Sequence, residues 1–456
     1  MDAADIIELD VTGAAHGGVF VGRHGADAGS GADAGGAADA ERGADAGSGT
    51  AAGGAARGGR VVFVPDAIPG ERVRVRLTDT SKRSFWRGEV LDVLTRSPHR
   101  RPHVWAAADV GSPPERRPGG ADFGHIDLAH QRALKARIVG EALQRFAGID
   151  VDVTVEPVAG ESADGTGWRT RVSLHVDDDG RIGPYAARSH RVVEVDELPL
   201  ATAAIERAAL RDRHVRPGRL DLVQPADGRV RVIPRAETPG GPRRGGRRPA
   251  PVDPAAREVV TEVVGDREFR VDAGGFWQVH RAAPSTLTDA VTAAAGDVDP
   301  DAWHLDLYGG VGLLAAALAA RGGASTRVTT VESDPRATEH AGENLAEWIG
   351  ARAETGRVDR WLAQLDAAAT ATQRARLARG VVVLDPPRAG AGGDVVRRLA
   401  ALAPARVVYV ACDPVALARD VQIFAAHGYG LASVRGLDLF PHSHHVEAVA
   451  VLTRQL

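Results

Sequence analysis

Sulfur and lysine are scarce in this chain. Cys412 is the single cysteine among 456 residues, which excludes a disulfide or a cluster of thiolate ligands built from one chain. Lysine occurs only at Lys82 and Lys135, so arginine carries almost all of the positive charge. The formal net charge of -4 argues against a chain that binds nucleic acid through its overall charge. Basic residues instead concentrate locally, between Ser81 and Val104.

Long apolar runs are absent as well. No segment approaches the roughly 18 consecutive apolar residues of a transmembrane helix. The N-terminal sequence MDAADIIELD is acidic and lacks the basic and then apolar segments of a signal peptide. We therefore expect a cytoplasmic protein that does not contact membranes.

Composition and pattern along the chain predict three domains. Short β-branched segments within residues 1–102, separated by Gly and Pro, predict a small β-barrel. Residues 25–58, almost wholly Gly, Ala, Asp and Ser, interrupt it as a flexible insertion. Residues 103–250 mix helical and strand patterns. Between 251 and 456 strands and helices alternate, which predicts an α/β domain with a parallel sheet covered by helices.

A glycine loop follows the first strand of that α/β alternation. The segment HLDLYGGVG (304–312) passes from an apolar strand through Gly309, Gly310 and Gly312 into an Ala/Leu-rich helix. Glycine lets the backbone turn tightly and approach a ligand at a helix N-terminus. The next strand ends in Glu332, which can accept hydrogen bonds from ribose hydroxyls. Because the loop lacks the lysine of a phosphate-binding loop, it favours S-adenosylmethionine. A tight turn beside a solvent-facing glutamate is the structural alternative.

Three further polar side chains are predicted at the same edge of the sheet. The strand VVVLD ends in Asp385, and the strand VVYVA is followed directly by Cys412. If the C-terminal strand VEAVAVL returns antiparallel to its neighbours, Glu447 at its start lies at that edge too. Ligands of such sheets bind beyond the carboxyl ends of the parallel strands. A turn aspartate and a buried, inert cysteine are the structural alternatives.

A thiol, a carboxylate and a sulfonium cofactor together indicate methylation of a pyrimidine. Carbon 5 of uracil is a poor nucleophile, but addition of the Cys412 thiolate to carbon 6 makes carbon 5 reactive. The proton on carbon 5 must then leave before the thiolate is expelled, and Glu447 can act as this general base. His442, His444 and His445 are alternative bases. They also resemble a metal cluster, although no carboxylate or cysteine framework surrounds them at ligand spacing.

With these residues, the chain resembles the RNA (uracil-5-)-methyltransferases. FVPDAIPGERVRV and SPHRRPH are similar to that family's N-terminal TRAM domain, an OB-like RNA-binding barrel. QRALK and GRIGPYAARSHRVVEVDELPL are similar to its central domain. GGFWQVH, DLYGGVG, VVVLDPPRAG, YVACDPVALARD and DLFPHSHHVEAV are similar to its catalytic motifs, in the same order.

The resemblance implies a fold and a set of site residues. Residues 1–102 would form the TRAM barrel, 103–250 a central α+β RNA-binding domain, and 251–456 a class I, Rossmann-like methyltransferase domain. Cys412 matches the nucleophile and Glu447 the base. The implied S-adenosylmethionine contacts are Gln278, Tyr308, Gly310, Glu332 and Asp385.

The chain departs from the family at several positions. The cysteines that hold an iron–sulfur cluster in many members are absent from PGGADFGHIDL and at Leu198, so we expect no cluster and no other metal. His280 and Asp413 stand where asparagine is usual, and Leu313 where it is frequent. Asp413 would raise the pKa of the adjacent thiol, unless its side chain caps the following turn. Arg357 stands where the family has an acidic residue near the adenine of the cofactor, and Asp359 can take the place of that acidic residue.

The predicted partner is structured RNA, methylated on a flipped-out or unpaired uridine. The resemblance implies 23S ribosomal RNA rather than tRNA, because a TRAM barrel is more typical of the family's ribosomal RNA enzymes, and we expect a monomer. Two other functions stay open. An amino-methyltransferase also carries Asp-Pro-Pro, although Arg388 and Cys412 argue against it. An RNA-binding protein with a weakened active site is compatible with the substitutions at 280, 313 and 413.

Overall fold

The computed structural model of the chain describes residues 6–25, 59–210, 216–236 and 253–455. Apart from Gly25, the predicted insertion at 25–58 lies outside these residues. Contacts divide the chain into two compact units, each assembled from several segments. Unit 1 comprises 1–141, 183–197 and 440–445, and unit 2 comprises 142–182, 198–439 and 446–456. The three predicted domain boundaries stay a prediction.

Unit 1 contains a closed five-stranded barrel. Its strands follow the order β1-β2-β3-β5-β4, and β1 pairs with β4 to close it. The strands are β1 (Ile6–Ala15), β2 (Val19–His24), β3 (Arg60–Val64), β4 (Arg72–Asp79) and β5 (Phe85–Thr95). Alternate residues of β1 and β4 are buried, as expected when one strand face lines a core. Phe20, Val62, Val73 and Val90 fill that core.

Two buried arginines stabilise the chain around the barrel. Arg100 forms a two-pronged ion pair with Glu71 at 2.7 and 2.8 Å, and both side chains are buried. Arg117 donates to Asp66 at 2.7 Å and to the carbonyl of Val90 at 3.0 Å. Arg100 belongs to the basic stretch 81–104, so this arginine is structural and not a surface charge. Short helices (Ala106–Ala108, Pro114–Arg116) precede α1 (Leu128–Ala142), and a π-turn (Leu143–Ala147) follows it.

Unit 2 begins with short elements, most of which lie outside its main sheet. Strands β9, β7 and β10 form an antiparallel sheet in the order β10-β9-β7, and β11 and β12 form a hairpin. The elements of this part of the chain are β6 (Val155–Glu156), β7 (Arg171–Val176), β8 (Ile182–Gly183), α2 (Ala203–Ala209), β9 (Gly218–Val223), β10 (Arg231–Ala236), a short helix (Pro254–Arg257), β11 (Val259–Val264) and β12 (Arg267–Asp272).

The main sheet of unit 2 has eight strands in the order β15-β14-β13-β16-β17-β19-β18-β6. Strands β13 to β17 are parallel, whereas β19 is antiparallel to both neighbours. The remaining elements are α3 (Ala283–Ala295), β13 (Trp303–Leu307), α4 (Leu313–Gly322), β14 (Arg327–Glu332), α5 (Pro335–Asn344), β15 (Ala351–Thr355), α6 (Val358–Ala368), α7 (Ala371–Leu377), β16 (Val381–Leu384), α8 (Gly393–Leu402), β17 (Arg406–Ala411), α9 (Pro414–Ala426), β18 (Tyr429–Leu437) and β19 (Glu447–Arg454).

This strand order predicts where a ligand would bind. The chain leaves β13 toward β14 and β15, then returns to the other side of β13 to form β16 and β17. The crevice at such a reversal lies beyond the carboxyl ends of the strands and is the usual ligand site of doubly wound sheets. The predicted α/β fold with an N-terminal barrel is confirmed. Within the described ranges, no helix is both long and apolar enough to cross a membrane.

Candidate active site

The glycine loop after β13 adopts a backbone that its glycines favour and that Tyr308 shares. Gly310 and Gly312 have φ values of +54° and +88°, and Tyr308 between them and the strand has +66°, a left-handed conformation that is uncommon outside glycine. A Cβ atom on Gly309 would lie 1.9 Å from the Thr330 hydroxyl, so only glycine fits there. The loop then enters α4 at Leu313, a buried helix residue.

Glu332 ties the end of β14 to this loop. Its Oε2 accepts a hydrogen bond from the Gly310 amide at 3.2 Å, and its Oε1 accepts from the Asp334 amide at 2.8 Å. The Ser333 amide and hydroxyl also donate to Oε1, so the capacity for a ribose hydroxyl lies on Oε2, since a carboxylate oxygen can accept more than one hydrogen bond. The predicted acidic residue therefore lies at the glycine loop, and its carboxylate is oriented by backbone donors.

Asp306 lies beneath the loop, and sequence reasoning assigned it no role. Its side chain is 0% exposed, and its Oδ2 accepts from the Ala315 amide at 3.0 Å and the Thr330 hydroxyl at 3.1 Å. Its Oδ1 has no hydrogen-bond partner among the described residues. Burial raises the pKa of Asp306 to about 7. The signal was available, because a carboxylate inside an apolar strand is unusual.

Asp385 follows β16 at the predicted edge. Its amide donates to the carbonyl of Leu307 at 3.3 Å, which places it beside the start of the glycine loop. Burial, and then the charge of Asp306, raise the pKa of Asp385 to about 7. Pro386 and Pro387 follow and end the strand, since proline cannot donate to a sheet.

The structure brings Cys412 and Glu447 together. Ala411 of β17 pairs with Ala448 of the antiparallel strand β19, and the next residue outward is Cys412 on one strand and Glu447 on the other. Residues opposite each other in an antiparallel pair project their side chains on the same face. The antiparallel return that sequence analysis required for Glu447 is therefore present.

The surroundings oppose ionisation of both groups when no ligand is bound. Burial, followed by the charges of Glu447 and Asp385, raises the pKa of the Cys412 thiol to about 12, while Arg388 acts in the opposite direction. Glu447 is 5% exposed, and burial together with the charge of Asp385 raises its pKa well above the ordinary value. The site is thus rich in acidic groups and short of positive charge.

Asp413 caps the helix that follows the cysteine. Its Oδ1 accepts hydrogen bonds from the amides of Val415 at 3.0 Å and Ala416 at 2.8 Å, the arrangement of an N-cap residue. The carboxylate still contributes, as the weakest of the causes, to the raised pKa of Cys412. Its main role is to start α9, whose N-terminus favours a thiolate.

Gln278 lies in the loop after β12, which a largely buried arginine holds in place. Arg171 donates to the carbonyls of Ala273 at 3.1 Å and Gly275 at 2.8 Å, and it pairs with Glu262 at 3.3 Å. The two aromatic residues of the loop differ. Trp277 is 6% exposed, whereas Phe276 is 72% exposed.

His280, at one of the unusual positions, packs against another aromatic ring. Its imidazole stacks on Trp168 with the ring centroids 5.3 Å apart, and its Nδ1 accepts from the Ala282 amide at 3.0 Å. Burial lowers the pKa of His280 to about 4. The ring is therefore neutral at pH 7 and acts as a packed, hydrogen-bonded core residue.

The remaining predicted residues have other partners. Arg357 pairs with Asp359 at 3.0 Å. In unit 1, the amide of His442 donates to Gln131 at 2.8 Å, and His444 donates from Nδ1 to Asp122 at 2.6 Å. Across the residues that the structure describes, no group of three or more His, Cys, Asp or Glu side chains could hold a metal ion. The expected absence of an iron–sulfur cluster stays a prediction, based on the missing cysteines.

A buried pair of side chains anchors the loop that follows Asp385, and sequence reasoning did not identify it. Asp420 of α9 accepts from the Tyr409 hydroxyl at 2.6 Å and from the Ala391 amide at 2.8 Å on the same oxygen. A Cβ atom on Gly390 would approach that oxygen to 2.8 Å. The loop that carries Arg388 is thus fastened to the helix that begins after Cys412.

We expect Asp420→Ala to lower the free energy of unfolding by about 2–4 kcal/mol, because it leaves several buried donors without an acceptor. Tyr409→Phe removes one donor and should cost about 1 kcal/mol. Urea unfolding measures both. Asp394→Ala, at an exposed carboxylate of α8, is the control and should change stability by less than about 0.5 kcal/mol. Equal effects of Asp420→Ala and Asp394→Ala would contradict the anchoring role.

The doubly wound sheet, the glycine loop after its first parallel strand and the acid after its second define a class I methyltransferase-like α/β domain. The family described as tRNA (Uracil-5-)-methyltransferase matches residues 372–455. An uncharacterised RNA methyltransferase of Streptomyces coelicolor is 38% identical over 86% of this chain and 88% of its own. One from Bifidobacterium longum is 38% identical over 87% of this chain and 92% of its own.

A solved structure is similar over most of the chain. The Pyrococcus abyssi tRNA (uracil-54, C5)-methyltransferase, in complex with S-adenosyl-L-homocysteine, superposes with a TM-score of 0.61 at 22% identity, covering 86% of this chain and 95% of its own. At this identity the similarity supports the fold. The curated relatives show that the chain belongs to an RNA methyltransferase family, and the match over residues 372–455 identifies it with the uracil-5 group that its motifs predicted.

Proposed function

We propose that the protein transfers a methyl group from S-adenosylmethionine to carbon 5 of a uracil in structured RNA, with Cys412 as nucleophile and Glu447 as general base. The observation that carries this proposal is the position of these two residues, opposite each other at the ends of β17 and β19. Methylation of an amino group needs no thiol, so the arrangement favours carbon over nitrogen as the acceptor.

S-adenosylmethionine fits the part of the sheet edge formed by the glycine loop and Glu332. The glycine loop leaves no Cβ at Gly309, and Glu332 offers acceptor capacity beside Gly310. We assign Tyr308, Gly310, Glu332, Asp385 and Gln278 to the cofactor. The structurally similar Pyrococcus abyssi enzyme, which contains the demethylated cofactor, supports the choice of cofactor. When bound, the cofactor supplies an electrophilic methyl group and one positive charge.

The steps follow from the residues of the site. The Cys412 thiolate adds to carbon 6, and the resulting enolate makes carbon 5 nucleophilic. Carbon 5 then takes the methyl group. Glu447 removes the proton from carbon 5, the electron pair of that bond forms the 5,6 double bond, and the sulfur–carbon 6 bond breaks to release the thiolate. Arg388 and the N-terminus of α9 favour the thiolate against the surrounding carboxylates.

Part of the barrel surface is suited to hold RNA. Trp86 of β5 lies beside His24, with ring centroids 6.2 Å apart, and the Arg60 guanidinium lies 5.2 Å from the Trp86 ring. Exposed cationic residues lie near these three in sequence, along the strands and in the loop before β5: Arg23, Lys82, Arg83 and Arg87. We call all seven residues the barrel patch. Aromatic rings that stack on bases, surrounded by cations that contact phosphates, are typical of sites for unpaired nucleic acid.

We expect Trp86→Ala to weaken RNA binding by roughly ten- to a hundredfold, since stacking on one ring contributes about 1–3 kcal/mol. Arg60→Ala should reduce the salt dependence of binding by about one phosphate contact. Filter binding or fluorescence anisotropy at several salt concentrations measures both. Arg74→Ala is the control, because Arg74 lies in the same barrel and is engaged with Asp92 at 3.2 Å. Unchanged binding by Trp86→Ala would exclude the barrel patch as an RNA contact.

Labelled S-adenosylmethionine and total RNA that lacks 5-methyluridine test the function directly. We expect label in 5-methyluridine, and fractionation of the RNA by size then separates 23S ribosomal RNA, which we propose as the substrate because of the barrel, from tRNA. Label in a methylated amino group would exclude the thiol mechanism. If no RNA is methylated but RNA binding is intact, the protein is instead an RNA-binding protein with a weakened active site. This is the second candidate function, because the raised pKa of the Cys412 thiol opposes formation of the nucleophilic thiolate.

A further inference from the structure

Three carboxylates, two of them buried and Asp385 partly buried, lie along the edge where the cofactor and the uracil would meet. Asp306 is on β13, Asp385 follows the neighbouring strand β16, and Glu447 begins β19. We call them the carboxylate edge. Asp306 pairs in register with Val383, two residues before Asp385, so these two lie on adjacent strand ends. Asp306 and Glu447 are 0% and 5% exposed, and no described arginine, lysine or histidine forms an ion pair with any of the three.

The surroundings of the carboxylate edge are acidic as well. The titratable or charged groups near it come from the strand ends, loops and helices that surround the same sheet. The groups that interact with the three carboxylates, with Cys412 or with Tyr308 are Glu332, Asp413, Asp420, Asp359, Arg388 and Arg357. Two of them are cations: Arg388 acts on Cys412, and Arg357, which is paired with Asp359, acts on Tyr308. Like charges in a buried site oppose each other's ionisation, so the edge retains protons until a cation arrives.

We propose, on the basis of the function proposed above, that the carboxylate edge selects the positively charged sulfonium cofactor over its neutral thioether product and releases a proton as the sulfonium binds. A bound cation stabilises ionised carboxylates in a low-dielectric site. The thioether carries no such charge. After methyl transfer the edge therefore regains its affinity for a proton, and the product loses the interaction that favoured the cofactor.

The same charge difference between cofactor and product controls when Glu447 can accept a proton. While the sulfonium is bound, its charge favours the ionised form of Glu447. Transfer of the methyl group to carbon 5 removes that charge, so the proton affinity of Glu447 rises when the carbon 5 proton has to leave. The proton moves to Glu447, the electron pair forms the 5,6 double bond, and Cys412 departs as a thiolate.

The expected pH dependence follows from the direction of the shifts. The pKa values of Asp306 and Asp385 are raised to about 7, so below that pH the edge is protonated and the sulfonium must displace a proton. Linkage then predicts that cofactor affinity falls by about tenfold per pH unit below pH 7 when one proton is released, and levels off above it. Affinity for the thioether should change little over the same range.

Isothermal titration calorimetry from pH 5.5 to 8.5 tests the proposal with S-adenosylmethionine, S-adenosylhomocysteine and sinefungin, in which a protonated amine replaces the methylated sulfur. Titrations at each pH in two buffers of different ionisation enthalpy count the protons released. We expect release and pH-dependent affinity for the two cationic ligands and neither for the thioether. Equal pH profiles for S-adenosylmethionine and S-adenosylhomocysteine would overturn the proposal.

Asp385→Asn identifies the group responsible. It should flatten the pH profile and reduce the preference for the sulfonium over the thioether by on the order of tenfold, while binding of the thioether confirms that the variant is folded. Asp394→Asn, at an exposed carboxylate outside the site, should match the wild type. A variant Asp385→Asn with the wild-type profile would overturn the assignment. These titrations need neither RNA nor the thiol, so their outcome does not depend on whether the protein methylates uracil.

Discussion

Methyl transfer by Cys412→Ala is expected to fall by about ten-thousandfold or more, as is typical when a covalent nucleophile is removed. Without addition at carbon 6, carbon 5 of uracil has no enolate to attack the methyl group, and no other described residue offers a thiol. Initial rates of label transfer to RNA, at saturating cofactor, measure the effect.

Binding distinguishes a lost nucleophile from a damaged fold. Cys412 follows β17 and precedes the capped helix α9, whose start depends on Asp413 and not on the thiol. The affinities of Cys412→Ala for cofactor and RNA should therefore remain within a few-fold of those of the wild type. Substitutions at partly exposed positions that break no hydrogen-bond network usually have small effects. Cys412→Ser is the matched variant, and its hydroxyl, with a far higher pKa, should not restore transfer. Substantial activity in Cys412→Ala would show that the reaction does not pass through the thiol.

The parallel strands of the main sheet were predictable because they are short apolar runs with polar ends. WHLDL, RVTTVE, VVVL and RVVYVA correspond to β13, β14, β16 and β17. Since the carboxyl ends of parallel strands share one edge, their order in sequence was enough to bring Asp385 and Cys412 together. Glu447 required the further assumption of an antiparallel return, which the pairing of β17 with β19 satisfies.

Elements without a strong apolar pattern were not predicted. β15 (ARAET) has no buried residue, because it is an edge strand that pairs only with β14. Amphipathic helix α6 was missed for a related reason, since its buried face reduces to Val358 and Leu362. Such elements are specified by packing against their neighbours, which sequence pattern alone does not reveal.

Long-range polar contacts were equally inaccessible from sequence. Asp420 lies in the motif ACDPVALARD, yet nothing in that spacing indicates that its carboxylate accepts from Tyr409 and from the loop at Ala391. Arg171 holds the loop near Gln278 across about a hundred residues of sequence. In contrast, capping by Asp413 involves residues close in sequence. Sequence analysis therefore included it as one of two alternatives, the other being a raised pKa of the adjacent thiol.

Glu447→Gln is expected to accumulate a covalent complex between the protein and methylated RNA. The amide has the shape of the protonated carboxyl but cannot accept the carbon 5 proton, so the methylated intermediate keeps its bond to Cys412. Turnover should fall by about a hundred- to ten-thousandfold, the usual contribution of a general base. The adduct is measured as an RNA-shifted band on a denaturing gel and as the summed mass of protein and RNA.

The electrostatics of the site make this variant more informative than a truncation. Glu447 is among the groups that raise the pKa of the Cys412 thiol, so replacing it with a neutral side chain lowers that pKa and favours addition to carbon 6. Burial together with the charge of Asp385 already favours the protonated, uncharged form of Glu447, and the amide resembles that form, so the variant should be about as stable as the wild type. The adduct should therefore form readily and decay slowly.

Two controls complete the experiment. Glu339→Gln changes an exposed glutamate of α5 and should turn over like the wild type without trapping RNA. The double variant Glu447→Gln with Cys412→Ala should form no adduct, because the bond requires the thiol. An adduct that carries no methyl group would place the block before methyl transfer and contradict the role of Glu447. Rapid turnover without any adduct would assign proton removal to another group, for which the nearest carboxylate along the sheet edge is Asp385.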